Sequence, residues 1–441
     1  MTKFDDVIDV ALALVRKAVA GTPAIHLVRD TNGALVVVLP DDAIPEERWS
    51  GLGQDLHDAL KPYSPGARRV LLSESDVLDP ADVFDSPDKV PVEGEPNTWL
   101  IDRLITNQDW LRPPLVDVSS LPVLVAFSVK GGVGRTTALA MLSWYLARQG
   151  KDVLVVDLDL EAPGIGEVLL SEMPSYGLVD WLIESVNAGV DEMPLDECIG
   201  ISPIGDHTAG RVRVLPAYGV GSKAYIAKLG RIYAPSINNE GAVIGLAERL
   251  AKLLHTVDGL IERPDVVLMD VRAGLHDIGS AAVTRLGAEV LFFARNDSQN
   301  WWAYRQLFDH LKHARTVENG MGDDDDLRWR LKMVAAQTEP REDVKRGWVS
   351  SSYDVWNEFY DDETEDGHSD FQPQVFDRFS EEAPHYPLFI SHDSTVRSFV
   401  LNDIALRPDW SYVVGVFGDF FKGVEDRLWS SSAEKRITSE F

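Results

Sequence analysis

Three glycines and two threonines stand close together in the segment Lys130-Gly-Gly-Val-Gly-Arg-Thr-Thr137. Gly131, Gly132 and Gly134 allow the backbone to curl so that successive N–H groups point at one anion. A valine-rich run ends just before them at Ser128, and a segment with helical spacing of apolar residues follows. The loop therefore lies between a predicted buried strand and the positive end of a predicted helix. This context predicts a phosphate-binding loop.

Two side chains of the segment suit a metal-assisted phosphate site, and two positions depart from the usual pattern. Thr136 is placed for a Mg²⁺-ligating hydroxyl, and Thr137 for a second phosphate contact. Val129 stands at the first glycine of the general loop G-x-x-x-x-G-K-[ST], and Arg135 replaces the lysine. The arginine side chain is a planar, forked group rather than a compact charge. Its positive charge still suits a phosphate, so we expect nucleotide binding to be retained, and whether the nucleotide is turned over stays an open question.

Carboxylates follow two further apolar runs. Asp157 and Asp159 come at the end of the first run, and Asp270 ends the second. The carboxyl ends of parallel strands form the ligand-binding edge of doubly wound sheets. Asp270 completes a Walker B pattern and is expected to hold Mg²⁺ through a water. The alternative for Asp157 and Asp159 is a helix cap or a turn leading into Pro163-Gly164.

In these motifs the chain resembles the ParA/MinD family of P-loop ATPases, whose loop is Lys-Gly-Gly-Val-Gly-Lys-Thr-Thr. The resemblance implies ATP and Mg²⁺ as cofactors. It assigns nucleotide contacts to Gly131, Gly132, Val133, Gly134, Arg135, Thr136 and Thr137. Lys130 matches the signature lysine, which reaches across a dimer to the partner's nucleotide. A nucleotide-dependent homodimer is therefore implied as well.

Catalytic roles follow from the same resemblance for Lys130, Asp159 and Arg135. Asp159 matches the residue that orients or activates the attacking water, and Asp157 is expected beside Thr136 and the metal. Thr136, Asp157 and Asp270 form the implied metal-binding set.

A switch segment is implied after Asp270, where the chain resembles a subgroup with Asp-x-Arg-x-Gly. The Gly274 N–H is expected to meet the γ-phosphate, and Arg272 to add positive charge there. Gln337 closes a later predicted strand, at the position that contacts the adenine in the family.

Composition limits the possible partners and compartments. The chain has 441 residues, enough for two or three domains, and a formal net charge of −29. This charge disfavours a broad DNA-binding face, which needs clustered Lys and Arg. One cysteine, Cys198, excludes an internal disulfide, and no signal peptide or membrane span is visible. We expect a cytoplasmic protein, with DNA and membrane unlikely as partners.

The expected fold is α/β, a doubly wound, mostly parallel P-loop NTPase sheet of the ParA/MinD type behind a small N-terminal α+β domain. Residues 1–117 form that first domain, with a hairpin at Asn32-Gly33 and a loop over residues 76–96. A protein-binding or regulatory role and a passive brace both remain open for it. The ATPase domain covers residues 118–441, with an insertion predicted at residues 340–385.

Three aromatic residues and one helix bear on surfaces outside the motifs. Trp348, Trp356 and Phe359 form either a small core or an exposed recognition surface. A final helix over residues 412–429 carries apolar residues on one face and lacks the cationic excess of membrane-surface helices, so we expect it to dock on its own domain. Residues 323–326 and 361–366 are acidic runs, predicted to be solvated loops.

The sequence thus favours a slow ATPase that acts as a dimeric switch controlling a protein partner. A non-hydrolysing nucleotide-binding regulator, in which Arg135 holds nucleotide without promoting transfer, is the first alternative. A DNA-partitioning ATPase is the second. A kinase acting on a small molecule is the third, and the sequence has no substrate-site signature for it.

Overall fold

The computed structural model describes residues 2–86, 88–187, 193–237, 243–315, 327–360 and 376–429. The chain divides into two compact units, the first formed mainly by residues 1–112 and the second by residues 113–441 apart from a short segment after Asp309. The boundary between the two units lies between Arg112 and Pro113, in the proline-containing linker, a few residues before the predicted domain boundary.

The first unit is a five-stranded mixed sheet with the order β3-β2-β1-β5-β4 and two long helices. Its elements are α1 (Val7–Ala18), β1 (Ile25–Arg29), β2 (Leu35–Leu39), α2 (Glu46–Leu60), β3 (Leu71–Ser73), α3 (Ala81–Phe84), β4 (Lys89–Pro91) and β5 (Thr98–Asp102). The predicted hairpin is confirmed: β1 pairs antiparallel with β2, and Gly33 at the turn has a φ of 84°. The Asp30 carboxylate accepts the N–H groups of Asn32 and Ala34 and fixes the turn.

The prediction of a loop over residues 76–96 is wrong in part, because α3 and β4 lie within it. β4 is stabilised by antiparallel hydrogen bonding to β5, in which Val90 pairs with Leu100. That tertiary pairing overrides the weak local preference of a short segment rich in Asp and Pro.

The second unit contains an eight-stranded sheet with the order β15-β14-β13-β6-β12-β7-β9-β8. Its strands are β6 (Val123–Ser128), β7 (Val153–Leu158), β8 (Gly200–Ile201), β9 (Val212–Leu215), β12 (Val266–Val271), β13 (Glu289–Ala294), β14 (Leu331–Thr338) and β15 (Leu388–Ser391). A separate hairpin is formed by β10 (Ser236–Ile237) and β11 (Val243–Ile244). Every pairing in the large sheet is parallel except that of β8 with β9.

The strands of the second unit are connected and followed by helices. They are α4 (Arg135–Arg148), α5 (Ile165–Leu169), α6 (Leu178–Asn187), α7 (Tyr225–Ile232), α8 (Leu246–Asp258), α9 (Asp277–Ser280), α10 (Ser298–Arg315), α11 (Leu327–Arg330), α12 (Glu342–Tyr360) and α13 (Trp410–Trp429). A π-helical segment (Ala281–Arg285) continues α9. β6, β7 and β12 are buried at every residue, which explains their continuous apolar sequences. The predicted doubly wound, mostly parallel α/β fold is confirmed.

Two predictions about packing are settled by burial. Val416, Phe420 and Val424 of α13 are buried in the main core, so this helix docks on its own unit as predicted. Trp348, Trp356 and Phe359 of α12 are also buried, which selects the core over a recognition surface. The acidic runs at 323–326 and 361–366 lie outside the described residues, as does part of the predicted insertion. In the described part of the chain, no helix combines the length and apolarity needed to cross a bilayer.

Candidate nucleotide-binding site

The glycine loop connects the last residue of β6 to the first turn of α4. Gly132 and Gly134 have φ values of 73° and 87°, a region that residues with a side chain rarely adopt. Val133 is buried in the main core, so the loop presents its backbone rather than this side chain. The first turn of α4 contains no acidic residue and no side-chain cap. Its N–H groups and the helix dipole therefore favour an anion at this point.

Arg135 points into the protein and contacts residues at the ends of three strands. Its Nε atom lies 2.7 Å from Oδ1 of Asp270, and Nη1 donates to Ser128 Oγ at 2.7 Å. Nη2 lies 3.5 Å from Oδ2 of Asp159. The side chain is 7% exposed. The loop's basic residue is thus engaged with carboxylates rather than directed toward solvent.

Thr136 and Asp270 form the polar pair expected at a magnesium site. The Thr136 hydroxyl donates to Oδ2 of Asp270 at 2.6 Å, and Thr137 lies half-buried in the same turn. Hydroxyl and carboxylate oxygens are ligands that Mg²⁺ accepts, usually with waters and substrate phosphates completing the octahedron. In the described part of the chain, no cluster of three or more His, Cys, Asp or Glu side chains is arranged to hold a metal by itself. Thr136 and Asp270 fit a Mg²⁺ that arrives with phosphate oxygens.

Asp157 lies opposite Asp270 in the parallel ladder between β7 and β12. Its carboxylate accepts the N–H groups of Asp159 at 3.1 Å and Gly164 at 3.2 Å. Burial and the adjacent charge of Asp270 raise the pKa of Asp157 to about 7. The contacts of Asp157 are therefore those of a residue that stabilises a turn, the alternative given for it above.

Asp159 is positioned by the turn that follows β7. One carboxylate oxygen accepts the Ala162 N–H at 3.2 Å, and the other faces Arg135. Burial raises the pKa of Asp159 above its ordinary value, and Arg135 opposes that change. The side chain is 18% exposed, so it is held in place by these contacts and still partly accessible to solvent.

The segment after β12 makes contacts that were not expected. Arg272 pairs with Glu161 at 3.1 Å, and the Tyr233 hydroxyl donates to the same carboxylate at 2.5 Å. The Gly274 N–H donates to the Ser128 carbonyl at 2.9 Å, with Gly274 at a φ of 107°. In this arrangement Arg272 and Gly274 bind protein groups, and their contacts with phosphate stay predictions.

Lys130 lies at the start of the loop, beside the first turn of α10. Its Nζ donates to Oε1 of Gln299 at 2.9 Å. A groove of about 480 Å³ runs past it, with Leu275 and Trp302 among its lining residues. The Trp302 side chain is 65% exposed. Sequence patterns gave no indication of this neighbourhood, because helical spacing does not show which of the paired tryptophans Trp301 and Trp302 faces outward.

Gln337 lies near the end of β14, beside the glycine loop. Its Nε2 donates to the Gly132 carbonyl at 3.2 Å, and its φ of 54° is unusual for a residue with a side chain. The predicted proximity of Gln337 to the site is therefore present, and its proposed contact with adenine stays a prediction. Ser128, Glu161 and Gln299 complete the site and had no recognisable sequence signal.

Part of the chain matches a known family of nucleotide-binding domains. Residues 124–294 match the family model described as the CobQ/CobB/MinD/ParA nucleotide binding domain. No curated protein matches the chain in sequence.

Three solved structures are similar to it. The septum site-determining protein MinD of Pyrococcus horikoshii OT3, complexed with Mg-ADP, is 22% identical, with 44% of this chain and 66% of that chain covered and a TM-score of 0.31. A putative plasmid partition protein of Borrelia burgdorferi B31 bound to AMPPNP is 13% identical (69% and 100% covered, TM-score 0.41). A variant of Cyanothece McdA in complex with ATP is 14% identical (71% and 98% covered, TM-score 0.43).

The matched segment contains the strand, glycine loop, helix and acidic strand ends described above. Over residues 124–294, the chain carries a ParA/MinD-like nucleotide-binding domain of the P-loop class.

Proposed function

We propose that the protein binds ATP with Mg²⁺, hydrolyses it slowly and uses the ATP-bound state to form a homodimer that controls a protein partner. The observation that carries this proposal is the 2.6 Å bond between Thr136 and Asp270 beside the uncapped first turn of α4. A glycine loop, a helix N-terminus and a hydroxyl–carboxylate pair are the parts that a metal-bound triphosphate requires.

Each group has a distinct task in this proposal. The loop N–H groups bind the phosphates, and Thr136 with Asp270 holds the metal, which supplies charge neutralisation when bound. Asp159 orients the attacking water, and Lys130 adds positive charge to the site of the second subunit. Catalysis in this class comes mostly from positioning and electrostatics rather than from covalent chemistry.

Two measurements test the proposal. Calorimetry with a non-hydrolysable ATP analogue and Mg²⁺ tests binding, and phosphate release at high protein concentration tests turnover. Gly134→Val is a suitable loop variant, because a β-branched residue is strained at a φ of 87°. We expect it to lose nucleotide binding, whereas Gly230→Val, at an exposed glycine of α7 with open space around the position of an added Cβ, retains it. Absence of saturable binding by the parent protein contradicts the proposal.

A non-hydrolysing regulator is the second candidate, and the engagement of Arg135 with Asp270 and Asp159 favours it. A guanidinium held by two carboxylates is less available to stabilise charge on a transferred phosphoryl group. Binding of the analogue without phosphate release in the same protein preparation supports this candidate. Phosphate release that Asp159→Ala abolishes supports the ATPase.

A further inference from the structure

Three buried or half-buried carboxylates lie at or just after the ends of the adjacent strands β7 and β12. Asp157, Asp159 and Asp270 lie close enough for the charge of Asp270 to raise the pKa of both other residues. Arg135 makes ion pairs with two of them, Asp270 and Asp159. Its single positive charge compensates part of the negative charge of these carboxylates.

The two side chains that fit a metal, Thr136 and Asp270, already contact protein groups. Oδ1 of Asp270 accepts from Arg135, and Oδ2 accepts from Thr136. A cation approaching Asp270 must displace the guanidinium or remain next to it. The cation and the guanidinium would then lie close together, and two positive charges repel strongly in a buried setting, where screening is weak.

Arg135 is also held by Ser128, so its planar group is fixed in three directions. A lysine has a compact ammonium on a flexible stem and cannot span these partners in the same way. The arginine thus replaces a mobile point charge with a fixed internal cation.

We infer that Arg135 is an internal counter-ion that closes the Asp270–Thr136 site to free divalent cations, so that the metal enters only together with a nucleotide. The inference rests on the proposed function, because it takes this pair to be the metal site. Phosphate groups compete for the guanidinium through charge-assisted hydrogen bonds and so release Asp270 as they bind. Arg135 is therefore a positioning residue that decides the order of binding.

The test uses Mn²⁺ alone with the full chain in the absence of nucleotide, and free Mn²⁺ is counted by electron paramagnetic resonance. We expect Arg135→Gln, which removes the charge and keeps a hydrogen-bonding group, to bind Mn²⁺ about tenfold or more tightly than the parent. The gain should disappear in the double variant Arg135→Gln/Asp270→Asn. The matched control is Arg211→Gln, which removes an exposed guanidinium that pairs with Asp152 and Glu262, and it should not create a Mn²⁺ site.

Equal Mn²⁺ affinity of the parent and Arg135→Gln overturns the inference, as does a gain that persists without the Asp270 carboxylate. If Arg135→Gln fails to fold, as judged by its thermal transition, Arg135→Lys replaces it. The lysine variant should still bind Mn²⁺ more tightly than the parent, and parent-like affinity counts against the proposal. The proposed function fails separately, through absence of ATP-analogue binding by the parent.

Discussion

Asp157 and Asp270 occupy paired positions on the adjacent strands β7 and β12, and both side chains are almost fully buried. Their environments differ, because Asp270 contacts a guanidinium and a hydroxyl, whereas Asp157 accepts two backbone N–H groups. Two like charges in one buried site favour protonation of the less compensated group. Asp157 therefore organises the turn after β7, and Asp270 is the better candidate metal ligand.

Removing the Thr136 hydroxyl should weaken Mg²⁺-dependent nucleotide binding. Thr136→Ala deletes an oxygen that lies 2.6 Å from Asp270, and we expect the dissociation constant to rise about tenfold or more in the presence of Mg²⁺. Calorimetry with and without Mg²⁺ measures the effect. Thr136→Ser keeps the hydroxyl and should behave like the parent protein; an unchanged metal dependence in Thr136→Ala means that the metal binds elsewhere.

Asp159→Ala should separate binding from turnover. Orientation of the attacking water matters more in the transition state than in the ground state, so nucleotide affinity should change little while phosphate release falls roughly 100-fold or more. The exposed Glu172 of the same unit supplies a control, and Glu172→Ala should leave both measurements unchanged. Parent-like phosphate release from Asp159→Ala removes the role assigned to this carboxylate.

Lys130→Ala should bind nucleotide as a monomer with modest loss and fail to dimerise with a non-hydrolysable ATP analogue. The reason is that Lys130, in its proposed role, neutralises phosphate charge in the opposite subunit. Sedimentation measures the dimer. Gln299→Ala removes the lysine's contact within its own chain and keeps the charge, so dimerisation should persist.

A mixture of Lys130→Ala and Asp159→Ala subunits sharpens this prediction. In the mixed dimer, one site keeps Asp159 and receives Lys130 from the neighbouring subunit. That site should regain phosphate release if the two sites act independently. A Lys130→Ala dimer as stable as the parent's is incompatible with the proposed arrangement.

Acid should destabilise the second unit through His385. This side chain is fully buried, with its ring nitrogens near the Tyr360 hydroxyl and the Arg378 carbonyl. Burial is the main cause that lowers its pKa from 6.5 to about 4. Between these values the unfolded chain holds more protons, so stability is complete above pH 6.5 and falls as the pH approaches 4. The full shift corresponds to about 3 kcal/mol.

Urea unfolding of His385→Gln between about pH 4 and 7 checks this prediction. The variant should be less stable than the parent at neutral pH, and the difference should shrink as the pH falls, because the glutamine does not titrate. His26 in the first unit has a pKa also lowered to about 4 and remains in both proteins. His255→Gln, on an exposed position of α8, should leave the pH dependence unchanged. A difference that stays constant with pH excludes His385 as the titrating group.

Local sequence signals were sufficient where an element depends mainly on neighbouring residues. The valine-rich run before Ser128, the glycines and the helical spacing after Arg135 predicted β6, the loop and α4. The hairpin at Gly33 needed only a turn sequence between two strands.

Side-chain partners were not predictable, because they come from distant parts of the chain. Arg135 contacts Asp159 in the turn after β7 and Asp270 on β12, and Arg272 contacts Glu161 across two loops. The positive φ of Gln337 has no counterpart in residue type, since glutamine carries no preference for it. Sequence thus located the candidate residues of the site and left their contacts with one another undetermined.

Helix α4 has ten buried residues among fourteen, and Arg135 is the first of them. A helix packed on nearly all sides leaves little room for enlarged or shortened side chains. Neutral drift in this helix should therefore be slow, and random mutagenesis should recover few tolerated changes between Ala138 and Ala147. Because Arg135 belongs to the same packed helix, we expect substitutions at this residue to change the stability of the second unit as well as nucleotide binding.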